Sequence, residues 1–397
     1  MMKKNRLSHR LQNISYSQTI AMSAKARELK NKGYDVINLS LGEPDFYPPN
    51  FVLSAAKKAI DEGYHYYTPV SGYLELKKVI CEKLYRDNRL KYTPSQIVVS
   101  TGAKQAIMNV LLSLLNKDDE VIIPAPYWVS YLQMVNICES SPVIIPTTMN
   151  NDFKINPEQL EKAITSKTKL FIFSTPSNPT GSVYSYKELR NLADVFKKHP
   201  KIMIIADEIY EHICYSEKHT SIAIFPDIHH QVITVNGLSK AFSMTGWRIG
   251  YIGAPEWIAQ SCDKIQGQMT SCANSIAQIA AITALSAHPD RIEYMIKEFE
   301  KRRNLVLNLI KEIDGFQFSK PNGAFYIFPK VSDFFGKKLY GKTIQNSDEF
   351  SEFLLEKAQV ATVSGSAFGD NECLRISYAS SENKIIEAFT RIKKALK

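Results

Sequence analysis

Between Gln96 and Gly253 short apolar, β-branched runs recur along the chain: residues 97–100, 120–124, 141–146, 169–174, 201–206, 231–235 and 248–253. Stretches with helical spacing separate most of them. The runs are unbroken rather than alternating, which is the pattern of strands covered on both faces, so they predict a mainly parallel seven-stranded sheet packed between helices. The C-terminal third changes character. It opens on a long amphipathic stretch from Pro289 to about Ile313 and continues with short apolar runs at 324–328 and 373–378 between helices, which predicts an α+β arrangement. From Ile265 to Pro289 the chain carries no Asp, Glu, Lys or Arg. Gln266, Gln268, Asn274 and Gln278 interrupt that segment, so a buried helix is expected rather than a membrane span.

Composition changes this picture little. With 397 residues, 44% hydrophobic and 22% charged, and with 17 Gly and 18 Pro, the chain excludes collagen-like, low-complexity and disordered classes. Six cysteines without any Cys-x-x-Cys argue against a disulfide framework or a zinc ribbon and for a reducing cytoplasm. The N-terminus begins basic but never develops the apolar run of an export signal. Lys and Arg exceed Asp and Glu by 49 to 40, giving +9, yet they are dispersed, so no nucleic-acid partner is expected. The densest basic stretch, Arg391 to Lys397, fits the end of a last helix.

Several generic signatures are absent, among them a Walker-A loop, His-Glu-x-x-His and Gly-x-Ser-x-Gly. Ser54-Ala-Ala-Lys57 matches a bare Ser-x-x-Lys pattern but lies in a helix-like run without partner motifs. His229-His230 reads as a loop before a strand, and no metal site is expected there or elsewhere.

Three segments carry chemistry. Residues 98–109 read as strand, tight turn and helix, and the N–H groups of Gly102, Ala103 and Lys104 would open that helix as an anion site, although small residues at such a turn also serve plain packing. Asp207 and Glu208 stand at the C-terminal end of an apolar strand, where open α/β sheets bind ligands. Capping of a following helix is the other reading for one of them. Lys240 follows a strand within small residues and precedes Phe242, Met244 and Trp247. Such surroundings would desolvate the amine, lower its pKa and suit it to Schiff-base chemistry, whereas an ordinary lysine lies in solvent.

At Ser239–Arg248 the run SKAFSMTGWR resembles the pyridoxal-phosphate attachment motif of the class I and II aminotransferases. LSLGEPDF (39–46), YYTPVSGYLELK (66–77), STGAKQA (100–106), PAPYWVSY (124–131), STPSNPTG (174–181), ADEIY (206–210) and LRISYA (374–379) resemble that family's further signatures in order. PYWVSY and MTGWRIGY are most similar to its bacterial aspartate aminotransferase branch.

The resemblance implies a fold-type I pyridoxal-phosphate enzyme: a large domain over about 51–284, and a small α+β domain formed by both chain ends, 1–50 and 285–397. The site would lie between the domains and at the interface of a homodimer. Lys240 would hold pyridoxal 5'-phosphate and move the substrate's Cα proton, with Asp207 pairing with the pyridine nitrogen. Asn178 and Tyr210 would bond the phenolic oxygen, Trp128 would stack on the ring, and Trp128 and Asn178 would also border the substrate. The phosphate would take the amides of Gly102, Ala103 and Lys104, the Arg248 guanidinium, Ser239, and Tyr67 from a second subunit. Arg375 would clamp the substrate carboxylate, and Gly42 would let the backbone approach it. Glu208 would be structural, and Asn178-Pro179 a cis peptide.

The implied reaction moves an amino group from an L-amino acid, foremost L-aspartate, to 2-oxoglutarate. Aromatic, alanine or prephenate transamination is the alternative, and a pyridoxal-phosphate C–S lyase a further one. An aminotransferase-like regulator is not expected, because the match begins by Leu39 and leaves no room for a DNA-binding domain before it. Two departures stand out. Many relatives have a hydroxyl residue three positions before the lysine, where this chain has Gly237. No arginine here has a motif marking it as the clamp for a substrate's distal carboxylate.

Overall fold

A computed structural model describes residues 7–216 and 218–397. Its main sheet has seven strands: β1 (Ile97–Thr101), β2 (Glu120–Ala125), β3 (Ser141–Pro146), β4 (Thr168–Ser174), β5 (Met203–Asp207), β6 (Val232–Gly237) and β7 (Ile249–Gly253). These are the seven apolar runs of the sequence, to within a few residues at each end. They lie in the order β1-β7-β6-β5-β4-β2-β3, and β7 alone runs antiparallel to both its neighbours.

Alternation along each strand feeds two cores. In β4, Phe171 and Phe173 join a cluster with Ile122, Ile204 and Phe196 on one face, while Leu170 and Ile172 join Ile123, Ile205 and Ile233 on the other. Each such fully buried side chain stabilises the fold by about 1.5–3 kcal/mol. Six of the strands are buried almost throughout, whereas the edge strand β3 is largely exposed, so the expected cover on both faces does not extend to it.

A third core unites the chain ends: Ile37 and Leu39 pack with Phe299, Tyr326, Leu374, Ile376 and Phe389. Ile37–Asn38 pairs in parallel with Val360–Ala361. Nearby, β8 (Tyr326–Ile327), β9 (Val363–Ser364) and β10 (Leu374–Ser377) form an antiparallel sheet with β10 in the middle. Asp45 accepts from Arg302 at 2.6 Å, and the Asp35 carbonyl accepts from Arg391 at 2.6 Å, so the N-terminal segment is also held by charge.

Three expectations are corrected. The charge-free segment 265–289 is not one helix: it ends the helix Glu256–Met269, breaks, and resumes as Ser275–Ser286. Ser271 sits at a φ of 64°, and the Asn274 side chain caps the Ala277 N–H at 2.8 Å. Lack of charge reports burial, whereas continuity is decided by caps. The amphipathic stretch from Pro289 begins as a 3₁₀ turn to Ile292 and is helical only over Glu293–Ile310. The C-terminal strands are likewise shorter than their apolar runs. Among the described residues no helix is long and apolar enough to cross a membrane.

Candidate active site

The parallel strands β4, β5 and β6 point their C-terminal ends at a cavity of about 630 Å³, which β10, the loop at Ser40–Glu43 and the helix α1 (Gln18–Asn31) close from the other side. Lys240 enters it from the loop after β6. Its Nζ donates to the Gly42 carbonyl at 2.6 Å and lies 5.8 Å from the centre of the Tyr210 ring. Burial lowers its pKa to about 8, against the pull of Glu43 and Asp207 and with the push of Arg375 and Arg248.

Asp207 ends β5 and is buried. Tyr131 donates to one carboxylate oxygen at 2.7 Å and the Ile209 N–H to the other at 3.2 Å. Burial raises its pKa to about 6, and these two donors oppose the rise.

Arg375, in the middle strand of the small sheet, is 2% exposed. Its guanidinium donates to Asn178 Oδ1 at 2.9 Å and to the Ser40 carbonyl at 2.5 Å, and lies 4.6 Å from the Tyr326 ring centre. Its Nε has no partner among the described residues. The Tyr210 and Tyr326 hydroxyls share a hydrogen bond of 2.8 Å. A side chain at Gly42 would run into the Tyr326 hydroxyl, so that position keeps the backbone close to the arginine wall.

A second pole faces the start of α2 (Gly102–Leu114). Gly102 has a φ of +80°, and a Cβ there would overlap the Arg248 guanidinium. Arg248 is itself left-handed, at a φ of 59°, and donates to the Thr245 carbonyl at 2.9 Å. Backbone N–H groups, a helix N-terminus and a guanidinium therefore converge on one small volume, which Ser239 also borders. Lys104 Nζ stands 5.0 Å over the Trp128 ring, its pKa lowered by burial and then by Arg248.

The fold thus brings Gly42, Ala103, Lys104, Trp128, Asn178, Asp207, Tyr210, Ser239, Lys240, Arg248 and Arg375 around one cavity. Tyr67 does not line it and is 90% exposed. The Asn178–Pro179 peptide is cis, as are Ala125–Pro126 and Thr175–Pro176. Glu208 is fully buried beside His219, at 3.2 Å, and is not part of the cavity lining. Glu208, His219 and Glu211 are close enough to share a cation. Glu211, however, already accepts from Lys83 and Asn88, so a divalent ion would have to displace an ammonium.

Sequence reasoning missed Tyr131, Tyr326 and the cavity-facing side of α1. Tyr131 stood inside the PYWVSY run, but only contact with Asp207, 76 residues away, gives it a task. Tyr326 read simply as an apolar strand position. The Gly237 departure also has a cause that only the packing shows: a Cβ there would lie 2.7 Å from the Ile249 carbonyl and 2.9 Å from the Gly250 Cα. In this chain β6 and β7 approach too closely for a hydroxyl residue.

An amine of lowered pKa, a buried carboxylate, an aromatic face and an amide-guanidinium cradle together fit pyridoxal phosphate: amine for its carbonyl, carboxylate for its ring nitrogen, cradle for its phosphate. The unpartnered Arg375 Nε and the Asn178 amide remain for a substrate.

The chain matches the family of aminotransferases of class I and II over residues 34–392. It is 46% identical over 395 residues to the bifunctional aspartate aminotransferase and glutamate/aspartate-prephenate aminotransferase of Petunia hybrida, covering 98% of this chain and 82% of that one. With the aspartate/prephenate aminotransferase of Cereibacter sphaeroides it shares 46% identity over 389 residues, 97% of each chain. The crystal structure of the aspartate aminotransferase from Rhizobium meliloti superposes with a TM-score of 0.95 at 42% identity, covering 98% of both chains. That of Thermus thermophilus, solved with maleate, superposes at 0.93 with 36% identity over 98% of this chain and 99% of that one. On sequence, fold and the arrangement of the cavity alike, this chain belongs to the aminotransferases of class I and II.

Proposed function

We propose that this aminotransferase transfers the amino group of L-aspartate to a 2-oxo acid, 2-oxoglutarate or prephenate, through the residues gathered in the cavity. Pyridoxal phosphate, when bound there, supplies a carbonyl to receive the amino group and a ring to accept the electrons of the broken Cα–H bond. The observation that carries the reading is the Lys240 amine, pKa about 8, in a cavity that also holds Asp207 and Arg375. At neutral pH roughly one such amine in ten is free base, enough to take the substrate's Cα proton and return it elsewhere.

Asp207 holds the proton on the ring nitrogen, while Tyr210 and Asn178 hydrogen-bond the phenolic oxygen. Trp128 covers one face. The N–H groups of Gly102, Ala103 and Lys104, with Ser239 and Arg248, take the phosphate. Tyr67 completes that cradle from a second subunit, which makes the active species a homodimer. Arg375 takes the α-carboxylate by its planar fork, a geometry lysine lacks. Gly42 lets the backbone close over it. On this reading the cavity lies between a large domain, residues 51–284, and a small one built from 1–50 and 285–397, and the six unpaired cysteines suit a reducing cytoplasm.

A dicarboxylate substrate needs a second cation. Once Lys240, Arg248 and Arg375 have their roles, the basic residues left on the cavity lining are Lys104 and Arg27. The names of the relatives support aspartate and prephenate, and the maleate of the Thermus structure is a dicarboxylate. Borohydride reduction of the coloured protein, followed by peptide mapping, tests the core of the proposal: label on Lys240 supports it and label on another lysine rejects it. Spectral titration with aspartate and phenylalanine then separates substrate classes, and release of pyruvate without an acceptor would point instead to a lyase.

A further inference from the structure

We infer that Tyr131 is a positioning residue for this reaction: its hydroxyl holds the Asp207 carboxylate ionised and aimed into the cavity. The inference rests on the reading of Asp207 given above and assigns the group that makes that reading work in a buried place.

Tyr131 is 1% exposed and sits in the first turn of α3 (Ser130–Ile137). Its ring meets Trp128 edge-on, at 5.4 Å and 87°, which fixes the direction of its hydroxyl. That hydroxyl donates to Asp207 Oδ2 at 2.7 Å, and the Ile209 N–H donates to Oδ1 at 3.2 Å. Each carboxylate oxygen therefore has one fixed donor and keeps a lone pair for the cavity. Rotation of the carboxylate would break both bonds.

The charges around Asp207 do not otherwise favour its ionised form. Glu208, next in the chain, opposes it; Lys240 supports it, weakly. Burial is the largest influence and works against the charge, whereas Tyr131 and the Ile209 N–H work for it. The Tyr131 phenol is held protonated far above neutral pH by its own burial and by Asp207, so it acts as a donor throughout. The Tyr210 hydroxyl is engaged with Tyr326. Of the two donors on Asp207, only Tyr131 is a side chain that substitution can remove.

Tyr131→Phe keeps the ring and deletes the donor. In the protein freed of coenzyme, infrared-detected titration of the Asp207 carboxyl, assigned by its loss in Asp207→Asn, should move its midpoint up by about one pH unit or more. In the loaded enzyme the acid limb of kcat should move with it, giving roughly tenfold lower kcat on that limb and recovery at higher pH, while KM changes little. Adding Tyr131→Phe to Asp207→Asn should cost nothing further, because the two act as a unit. An unmoved midpoint, or losses that multiply in the double variant, would overturn the inference. If Tyr131→Phe alone fails to fold, a folded double variant supports it, since no charge is left stranded, and an unfolded double variant overturns it. A silent Tyr131→Phe beside an inactive Asp207→Asn sinks this inference alone; an active Asp207→Asn sinks the reading of the site itself.

Discussion

Replacing Lys240 with methionine should abolish transamination and yet stabilise the coenzyme-free protein at neutral pH. The folded protein lowers the Lys240 pKa from 10.5 to about 8, mainly by burial. At about 1.4 kcal/mol per pH unit, carrying that charge below pH 8 costs the folded state about 3 kcal/mol relative to the unfolded chain. Methionine has nearly the same length and no charge, but it leaves the Gly42 carbonyl without its 2.6 Å donor, a loss of about 1 kcal/mol. A net gain of about 2 kcal/mol remains. The pH dependence has a definite sign. A lysine with a depressed folded pKa is protonated in both states below pH 8, so the cost is there in full. Between pH 8 and 10.5 the unfolded chain binds more proton than the folded one, so the parent's stability rises with pH and the variant's advantage fades. Above 10.5 methionine should be the less stable by the lost hydrogen bond. Urea unfolding of both proteins, in steps from pH 7 to 11, measures this directly. A variant no more stable than the parent at pH 7, or a difference that stays constant with pH, would falsify the claim that Lys240 is held in a desolvated site.

Gly237→Ser, which restores the hydroxyl common among relatives, should destabilise by about 1–3 kcal/mol, because both clashing atoms belong to the β7 backbone. Thermal unfolding and coenzyme titration check it; a stable variant with tighter coenzyme binding contradicts the steric account. Arg375→Lys should depress kcat/KM for aspartate and phenylalanine alike, since the lost fork serves the α-carboxylate, and loss confined to aspartate would reassign Arg375 to the distal group. Lys104→Gln or Arg27→Gln should do the reverse, lowering aspartate turnover while sparing phenylalanine; equal effects on both substrates would remove that residue from side-chain recognition. Tyr67→Phe should weaken coenzyme binding by about 1–3 kcal/mol with little change in the stability of the subunit, given its 90% exposure. Sedimentation showing a fully active monomer would refute the shared site behind that expectation.

How far the chain could be read depended on the range of the interactions involved. The central strands were legible because a strand buried on both faces is mostly apolar, as β4 and β5 are, whereas the edge strand β3, largely exposed, was found by its β-branched run alone. Lys240, Asp207 and Arg375 were legible as candidates because each lies in a run of residues resembling those of known enzymes. The break at Thr270–Asn274 was not legible from charge, since the residues on either side of it, from Ile265 to Ser286, carry none. Tyr131 and Tyr326 were invisible for a related reason: an aromatic residue within an apolar run satisfies the local pattern whether or not its hydroxyl has a distant partner.

The sequence by itself therefore determined the strands of the main sheet, its class and the chemical types available, because backbone periodicity and side-chain chemistry are local properties. Tertiary structure decided which of those groups meet. It set the Gly42 carbonyl on the Lys240 amine and the Tyr131 hydroxyl on Asp207, 198 and 76 residues apart in the chain. It also decided that Gly237 must lack a side chain, through an approach of β6 to β7 that neither strand's residues announce. Burial then did what no local pattern can: by withdrawing water from Lys240 and Asp207 it moved both pKa values toward neutrality, the amine down to about 8 and the carboxylate up to about 6.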